Sequence, residues 1–183
     1  MIKNFLTEEL GIQSISHADI DFVDIYLGKD NELFIDPCLI DLRNDDWGEK
    51  VKNKLDSFFS KMFYLYRNHS SMNEKLQLFE HAHEVNAAKL GYGNGNNGKA
   101  KTAEGMIELF KQLDEYQFDE INMEHPIDVP LFIVNFAEDC MTDLLFNISF
   151  KEFNDFTLEQ CEKYGVPTEY VENAFYYWDD VTS

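Results

Sequence analysis

The sequence is short of basic residues, and this shortage excludes two classes of protein. Of 183 residues, 15 are Lys or Arg and 35 are Asp or Glu, which gives a formal net charge of -20. Binding to the phosphate backbone of a nucleic acid, or to an anionic membrane surface, requires a surface rich in Lys and Arg. We therefore expect no direct nucleic-acid binding and no membrane association.

The sequence also lacks long apolar runs and paired cysteines. No stretch approaches the roughly 18 apolar residues that a membrane-spanning helix needs, and Met1 to Gly11 contain no apolar core of a secretion signal. Cys38, Cys140 and Cys161 are far apart and follow no metal-binding spacing. These absences predict a cytoplasmic protein with free thiols.

Apolar residues are nevertheless abundant: 44% of the chain is hydrophobic and 15% is aromatic. That content is too high for a disordered acidic tail, and the length suits one core. We find no repeat and no Pro- or Ser-rich linker. The sequence predicts a single acidic α+β domain over residues 1–183, mainly helical, with an N-terminal β-hairpin.

The hairpin prediction is based on residues 18–37. Apolar and acidic side chains alternate imperfectly over 18–27, turn residues follow at 28–31, and a short apolar run occupies 33–35. Pro37 ends the second predicted strand because proline cannot donate to a β-ladder.

Helical spacing of apolar residues predicts most of the remaining structure. Thr157 with Gln160 forms a sequence capping box that predicts a helix start, and Gly165 with Pro167 predicts its end. Residues 131–134 suit either a buried strand or a buried helix. The predicted helices cover 50–66, 73–89, 102–116, 138–150, a short helix beginning near Thr157, and a last helix from Thr168 to about Trp178.

The segment around residues 93–99 is rich in glycine and matches both GxGxxG and GxxxxGK. Neither match follows a predicted strand, and Ala100 stands where a Walker motif needs Ser or Thr, so we expect no nucleotide site of either kind. A helix N-terminus next to several lysines does attract small anions. The candidate anion-binding residues are Lys89, Gly95, Gly98, Lys99 and Lys101.

A second group of polar residues has spacing suited to metal or acid–base chemistry. Asp139, Asp143 and Asn147 recur every four residues and form one polar stripe of a helix, which is most often a solvated face. Two carboxylates one turn apart also suit a divalent cation, with Asp36 or Glu84 completing the set. His83-Glu84 is not an HExxH motif, because Ala87 occupies the last position.

Several short motifs together resemble a family of bacterial proteins of unknown function. They are Phe34-Ile35-Asp36-Pro37, Glu84-Val85-Asn86 with Leu90-Gly91-Tyr92, Gly95 to Lys99, Asp139 to Asn147, and Phe156-Thr157 with Gln160-Cys161. The resemblance spans about residues 20–167 and carries no established activity. It implies that Asp36, Glu84, Asn86, Asp139, Asp143 and Asn147 are the positions at which to look for a shared site.

The uneven charge favours one functional hypothesis. Residues 121–183 carry 13 acids and 2 bases, whereas residues 61–120 carry 9 acids and 7 bases. We expect an acidic protein that binds a basic partner, as an inhibitor or regulator of a basic or nucleic-acid-handling protein in a prokaryotic or phage system. The sequence predicts no particular cofactor for it. The alternative is a small metal-dependent hydrolase, nuclease-like or phosphate-binding domain that uses converging carboxylates with a divalent metal.

Overall fold

The structure is a computed structural model. It describes residues 5–12, 16, 18–28, 31–82, 102–115, 125–133, 136, 138–170 and 177–179, with the backbone alone at 131, 132, 138 and 139. The described part is mainly helical. Its α-helices are α1 (Leu6–Glu9), α2 (Pro37–Asp41), α3 (Asp46–Arg67), α4 (Met72–Phe79), α5 (Ala103–Phe110), α6 (Val129–Phe132), α7 (Glu138–Ile148) and α8 (Phe150–Tyr164), and 3-10 helices span Lys111–Glu115 and Pro126–Asp128.

Helix α3 is the centre of the core, and its prediction is confirmed. The Asp45 carboxylate accepts a hydrogen bond from the Gly48 N–H at 2.7 Å, which satisfies one of the free donors of the first turn. Apolar residues then recur at helical spacing. Val51, Phe58, Phe59, Met62 and Tyr66 are fully buried. The helix packs against α4, α7 and α8, so one amphipathic segment organises the other helices around it.

The predicted β-hairpin is wrong, and so is the α+β class. No strand occurs among the described residues, where an isolated β-bridge joins Phe5 to Tyr26. The Asn31 side chain takes both backbone groups of Tyr26, accepting from its N–H at 2.9 Å and donating to its C=O at 3.2 Å. Ile35 donates its N–H to the Thr142 hydroxyl at 3.0 Å. Side chains thus satisfy the groups that a ladder would have paired.

Helix α8 begins earlier than the sequence predicts. Thr157 lies inside it and donates its hydroxyl to the Phe153 C=O at 2.8 Å, so Thr157 does not cap a helix start. A Thr inside a helix commonly bonds to the carbonyl four residues before it. The predicted end is confirmed, because Gly165 adopts a left-handed conformation with φ 66°.

The helices predicted over 73–89, 102–116 and 138–150 are confirmed in part, since α4 ends at Phe79 and residues 80–82 form a turn. Thr102 caps α5 by accepting from the Gly105 N–H at 3.1 Å. Residues 131–132 are helical, which favours the helix of the two interpretations left open for 131–134. Residues 168–170 and 177–179 are not helical, and the rest of the helix predicted from Thr168 lies outside the described residues.

A buried ion pair joins α3 to α8. Lys54 Nζ lies 2.9 Å from Glu152 Oε1, and both side chains are over nine-tenths buried. Trp47 donates its indole N–H to the Glu152 C=O at 3.1 Å. Trp178 covers the same side of the core, with its ring 5.3 Å from that of Phe58. These contacts fix the orientation of α8 relative to α3.

In the part of the chain that the structure describes, no helix is both long enough and apolar enough to cross a membrane.

Candidate partner-binding surface

Asp36, the first predicted site residue, lies beside α7 but is used to cap a helix. Its carboxylate accepts from the Cys38 N–H at 2.8 Å and so begins α2. The preceding residue, Ile35, is bonded to Thr142 of α7, which brings Asp36 close to the predicted polar stripe. The side chain of Asp36 is exposed.

The stripe on α7 is less solvated than its spacing suggests. Asn147 is 2% exposed and donates to the Ala82 C=O at 3.3 Å, whereas Asp143 is half-buried. For Asn147, the expected solvated position is therefore wrong, because α7 packs against the end of the α4 segment. Helix α7 thus contacts the chain at two distant places, Ile35 and Ala82.

The remaining predicted residues are not described. The side chain of Asp139 and all of Glu84, Asn86, Lys89, Gly95, Gly98, Lys99 and Lys101 lie outside the described residues. Within the residues that are described, no group of three or more His, Cys, Asp or Glu side chains is arranged to hold a metal ion.

The structure reveals an apolar groove of about 160 Å³ that the sequence motifs did not indicate. It lies between the N-terminal segment and α8. We call it the acidic groove because its lining is apolar but the chain segments around it are rich in Asp and Glu. An apolar cavity of roughly 150 Å³ admits a benzene-sized group, so the groove accepts one large apolar side chain. Its walls are formed by Leu6, Leu10, Ile12, Phe22, Val23, Phe156, Thr157, Gln160, Cys161, Tyr164 and Val166.

Local hydrogen bonds hold the N-terminal wall of the acidic groove in place. Thr7 donates both its N–H, at 3.0 Å, and its hydroxyl, at 2.8 Å, to the Asp24 carboxylate. Leu6 donates its N–H to the Ile25 C=O at 2.9 Å. The Tyr164 hydroxyl donates to the Asp19 C=O at 2.9 Å, which attaches the segment to α8.

The charge around the acidic groove is mostly negative. Residues 5–24 carry five acids and no Lys or Arg, and residues 150–164 carry four acids and two lysines. Lys163 pairs with Asp21 at 2.6 Å across the edge of the groove. The hydrogen bonds from Ser16 lower the pKa of Asp19, so this carboxylate is charged at neutral pH.

One feature of the acidic groove is typical of a surface that binds another molecule. Val23 is 61% exposed and Leu10 is 38% exposed, which is a cost for apolar side chains that contact water. A partner that covered these side chains would remove that cost.

Comparison of the sequence with those of known proteins assigns the chain to a protein family. The sequence profile of a family described as a domain of unknown function, DUF8370, matches residues 11–183. The chain belongs to the DUF8370 family. This agrees with the resemblance to a family of unknown function. No curated protein and no solved structure matches the chain.

The DUF8370 match includes the α8 wall of the acidic groove, whereas Leu6 and Leu10 precede it. Sequence motifs had singled out Phe156, Thr157, Gln160 and Cys161 without giving them a role. In the structure these four side chains form one wall, because positions 156, 160 and 164 and positions 157 and 161 lie on adjacent rows of α8. This wall lies within one helix, but the opposite wall comes from residues more than 130 positions away.

Proposed function

We propose that the protein binds a basic protein through the acidic groove and thereby inhibits or regulates it. The proposed partner is a basic or nucleic-acid-handling protein, in a prokaryotic or phage system and in the cytoplasm. The observation that carries the proposal is an apolar groove with exposed side chains inside a strongly acidic surface.

The partner's segment is proposed to be a basic amphipathic helix. Such a helix places one apolar anchor in a groove and keeps Lys and Arg on its flanks. The volume of the groove suits one anchor, and the five acids of residues 5–24 suit the flanking cations.

The charge contributes chiefly to the rate and selectivity of binding. Complementary fields steer two proteins together and raise the association rate, and like charges reject wrong partners. The same field repels the phosphate backbone of a nucleic acid. A bound acidic protein therefore competes with nucleic acid for a cationic channel of the partner, without itself binding nucleic acid.

Affinity capture at low salt, followed by calorimetry on the purified partner, tests the proposal. We expect a basic protein that binds the wild type at about 50 mM salt, where charge screening is weak. Val23→Asp puts a charge on an exposed apolar contact and should weaken binding at least about tenfold, as loss of an interface anchor does. The fold should survive, because Val23 is largely exposed.

Leu42→Asp is the matched control, because Leu42 is 73% exposed and lies away from the acidic groove. It adds the same charge as Val23→Asp and should leave the affinity within about twofold of the wild type. If Leu42→Asp abolished binding and Val23→Asp did not, the partner would bind elsewhere and the groove would lose its proposed role.

A second candidate function, a metal-assisted hydrolase, is supported by the contacts of α7. The Ile35–Thr142 and Ala82–Asn147 hydrogen bonds bring Asp36 and the residues just before Glu84 to one helix. These two contacts are five residues apart on α7, or about 7–8 Å along its axis. Carboxylates brought together along that length of helix would suit a divalent cation.

Calorimetric titration with MnCl2 tests this second function. Converging carboxylates predict saturable binding that Asp143→Asn weakens at least about tenfold, whereas Glu104→Gln, an exposed carboxylate on α5, has no effect. An absence of heat in the wild type, or equal loss in both variants, would contradict a metal site on α7.

A further inference from the structure

A second cavity of about 390 Å³ opens between α2, α3 and the 3-10 helix Pro126–Asp128, and we call it the α2 cleft. This volume falls in the range of small-molecule sites, roughly 300–1,000 Å³. The floor of the cleft is apolar, with Ile40, Leu55 and Pro126 buried. Leu42 and Ile127 form its exposed rim.

The charged and titratable side chains of the α2 cleft include the carboxylates of Asp41 and Asp56, the ammonium of Lys52 and the imidazole of His125. Asp41 pairs with Lys52, and this contact lowers the pKa of Asp41 and raises that of Lys52. The positive charge of Lys52 is therefore already matched. An anionic ligand would have to break that pair and approach a second carboxylate, Asp56, on the same wall.

Asp56 is the second carboxylate of the cleft. It lies one helical turn from Lys52, whose pKa is raised by Asp41 and, to a smaller extent, by Asp56, so two carboxylates share one ammonium. An oxygen of Asp56 lies 3.9 Å from Nδ1 of His125, which is too long for a hydrogen bond. The side chain is 41% exposed and faces the cleft from α3. A ligand ammonium beside Asp56 gains a charge-assisted hydrogen bond while the ligand's apolar body covers the floor.

We infer that the α2 cleft binds a small organic cation, an amine with an apolar or aromatic body. Cavity volume, an apolar floor and one carboxylate more than the cleft has ammonium groups specify this chemistry together. Cys38 also lines the cleft, and burial and the neighbouring Asp36 raise its pKa, which keeps it a neutral thiol that does not compete for the cation. The inference is independent of the proposed function, because the acidic groove uses none of these residues.

Fragment titrations followed by ¹H–¹⁵N NMR test the inference. The probes are 2-phenylethylamine and 3-phenylpropanoate, which share a phenyl ring and differ in charge. We expect the amine to bind with a Kd of about 1–10 mM, as is usual for a fragment of this size. Amide shifts should concentrate at Ile40, Leu55 and Ile127, and the carboxylate should bind at least about tenfold more weakly.

Variants separate the charge from the apolar floor. Asp56→Asn should lower the affinity for the amine about two- to fivefold, in keeping with a partly exposed ion pair. Glu104→Gln should not change this affinity. Equal affinity for the two probes, equal binding by Asp56→Asn, or shifts outside the cleft would overturn the inference. Because Asp56 and Glu104 are solvent-accessible, both variants should fold, and their spectra verify this in the same experiment.

Discussion

The acidic groove and the α2 cleft are both cavities with exposed apolar rims, but they differ in how their charge is balanced. Residues 5–24, beside the groove, carry five acids and no Lys or Arg, whereas residues 36–56, beside the cleft, carry six acids and four bases. In the cleft region, cations pair with carboxylates, as in Lys52–Asp41 and Arg43–Asp45. In the groove region, Asp24 and Asp19 are satisfied mainly by N–H and hydroxyl donors.

This difference shows why net charge alone does not locate a binding surface. A carboxylate that accepts hydrogen bonds from neutral donors keeps its full negative charge, whereas an ion pair cancels most of its long-range field. Under the proposed function, the groove would attract a large cationic partner from a distance. The inferred ligand of the cleft would be held at short range, by one carboxylate and an apolar floor.

The largest expected effect concerns the ion pair that connects the two regions. Lys54 lies on α3 beside the cleft residue Leu55, and Glu152 lies on α8, which forms the groove wall. Lys54→Met leaves Glu152 buried without a cation and should lower the free energy of unfolding by about 3–5 kcal/mol. Urea denaturation measures this change.

Replacing both partners, as Lys54→Met with Glu152→Leu, is the control and should recover most of the lost stability, since no buried charge is left unpaired. A loss below about 1 kcal/mol for Lys54→Met alone would mean that the groove and the cleft are joined by packing and not by this pair.

The next effect is the dependence of binding on salt. Raising NaCl from about 50 to about 500 mM should weaken binding of the basic partner about tenfold, because screening shortens the reach of the negative field around the groove. The affinity of the amine probe for the cleft should fall about twofold, since the probe contacts one carboxylate. Similar losses for both ligands, measured by calorimetry and NMR, would remove the distinction between the surfaces.

A smaller effect uses the native cysteines, because Cys161 lines the acidic groove and Cys38 lines the α2 cleft. A saturating basic partner should slow alkylation of Cys161 by N-ethylmaleimide about threefold or more by blocking access to its thiol, and leave Cys38 unchanged. Peptide mass spectrometry measures both rates in one sample. Protection of Cys38 instead would place the partner on the cleft.

The smallest effect is the pH dependence of α3. Hydrogen bonds from Arg43 and from the Gly48 N–H lower the pKa of Asp45. A carboxyl with a lowered folded-state pKa stabilises the fold above its unfolded-state pKa of about 3.9, and this contribution is lost as pH falls through the folded value. Asp45→Asn should therefore destabilise the protein slightly at pH 7 and less at pH 3, as followed by thermal denaturation. A larger loss at pH 3 than at pH 7 would reverse the expected sign.

Much of the helical structure could be predicted because its signals are local. Asp45, Thr102 and Gly165 mark helix ends through contacts within three or four residues. The start of α8 was missed because Thr157, although followed by Gln160, bonds back to Phe153 inside a continuous helix. The same residue types serve a cap or a helix interior, depending on the residues that precede them.

The candidate sites were less predictable, because their geometry depends on distant contacts. Asp36 follows Ile35, whose N–H bonds to Thr142 of α7, yet the carboxylate of Asp36 itself caps α2. Asn147 was placed on a solvated stripe, but Ala82 of another segment covers it. The acidic groove was not predicted at all, since half of its lining comes from Leu6 to Val23 and half from Phe156 to Val166.

The sequence by itself determined the acidic character, the family and the positions of the main helices, because composition, motifs and apolar spacing act within short stretches of chain. Only the tertiary structure decided that the described residues of the segment 18–37 form no hairpin, and where charge remains unbalanced. The backbone N–H of Ile35 and the carboxylate of Asp21 both have their partners far along the chain, at Thr142 and Lys163. A linear pattern does not specify which of these partners folding brings within hydrogen-bond distance.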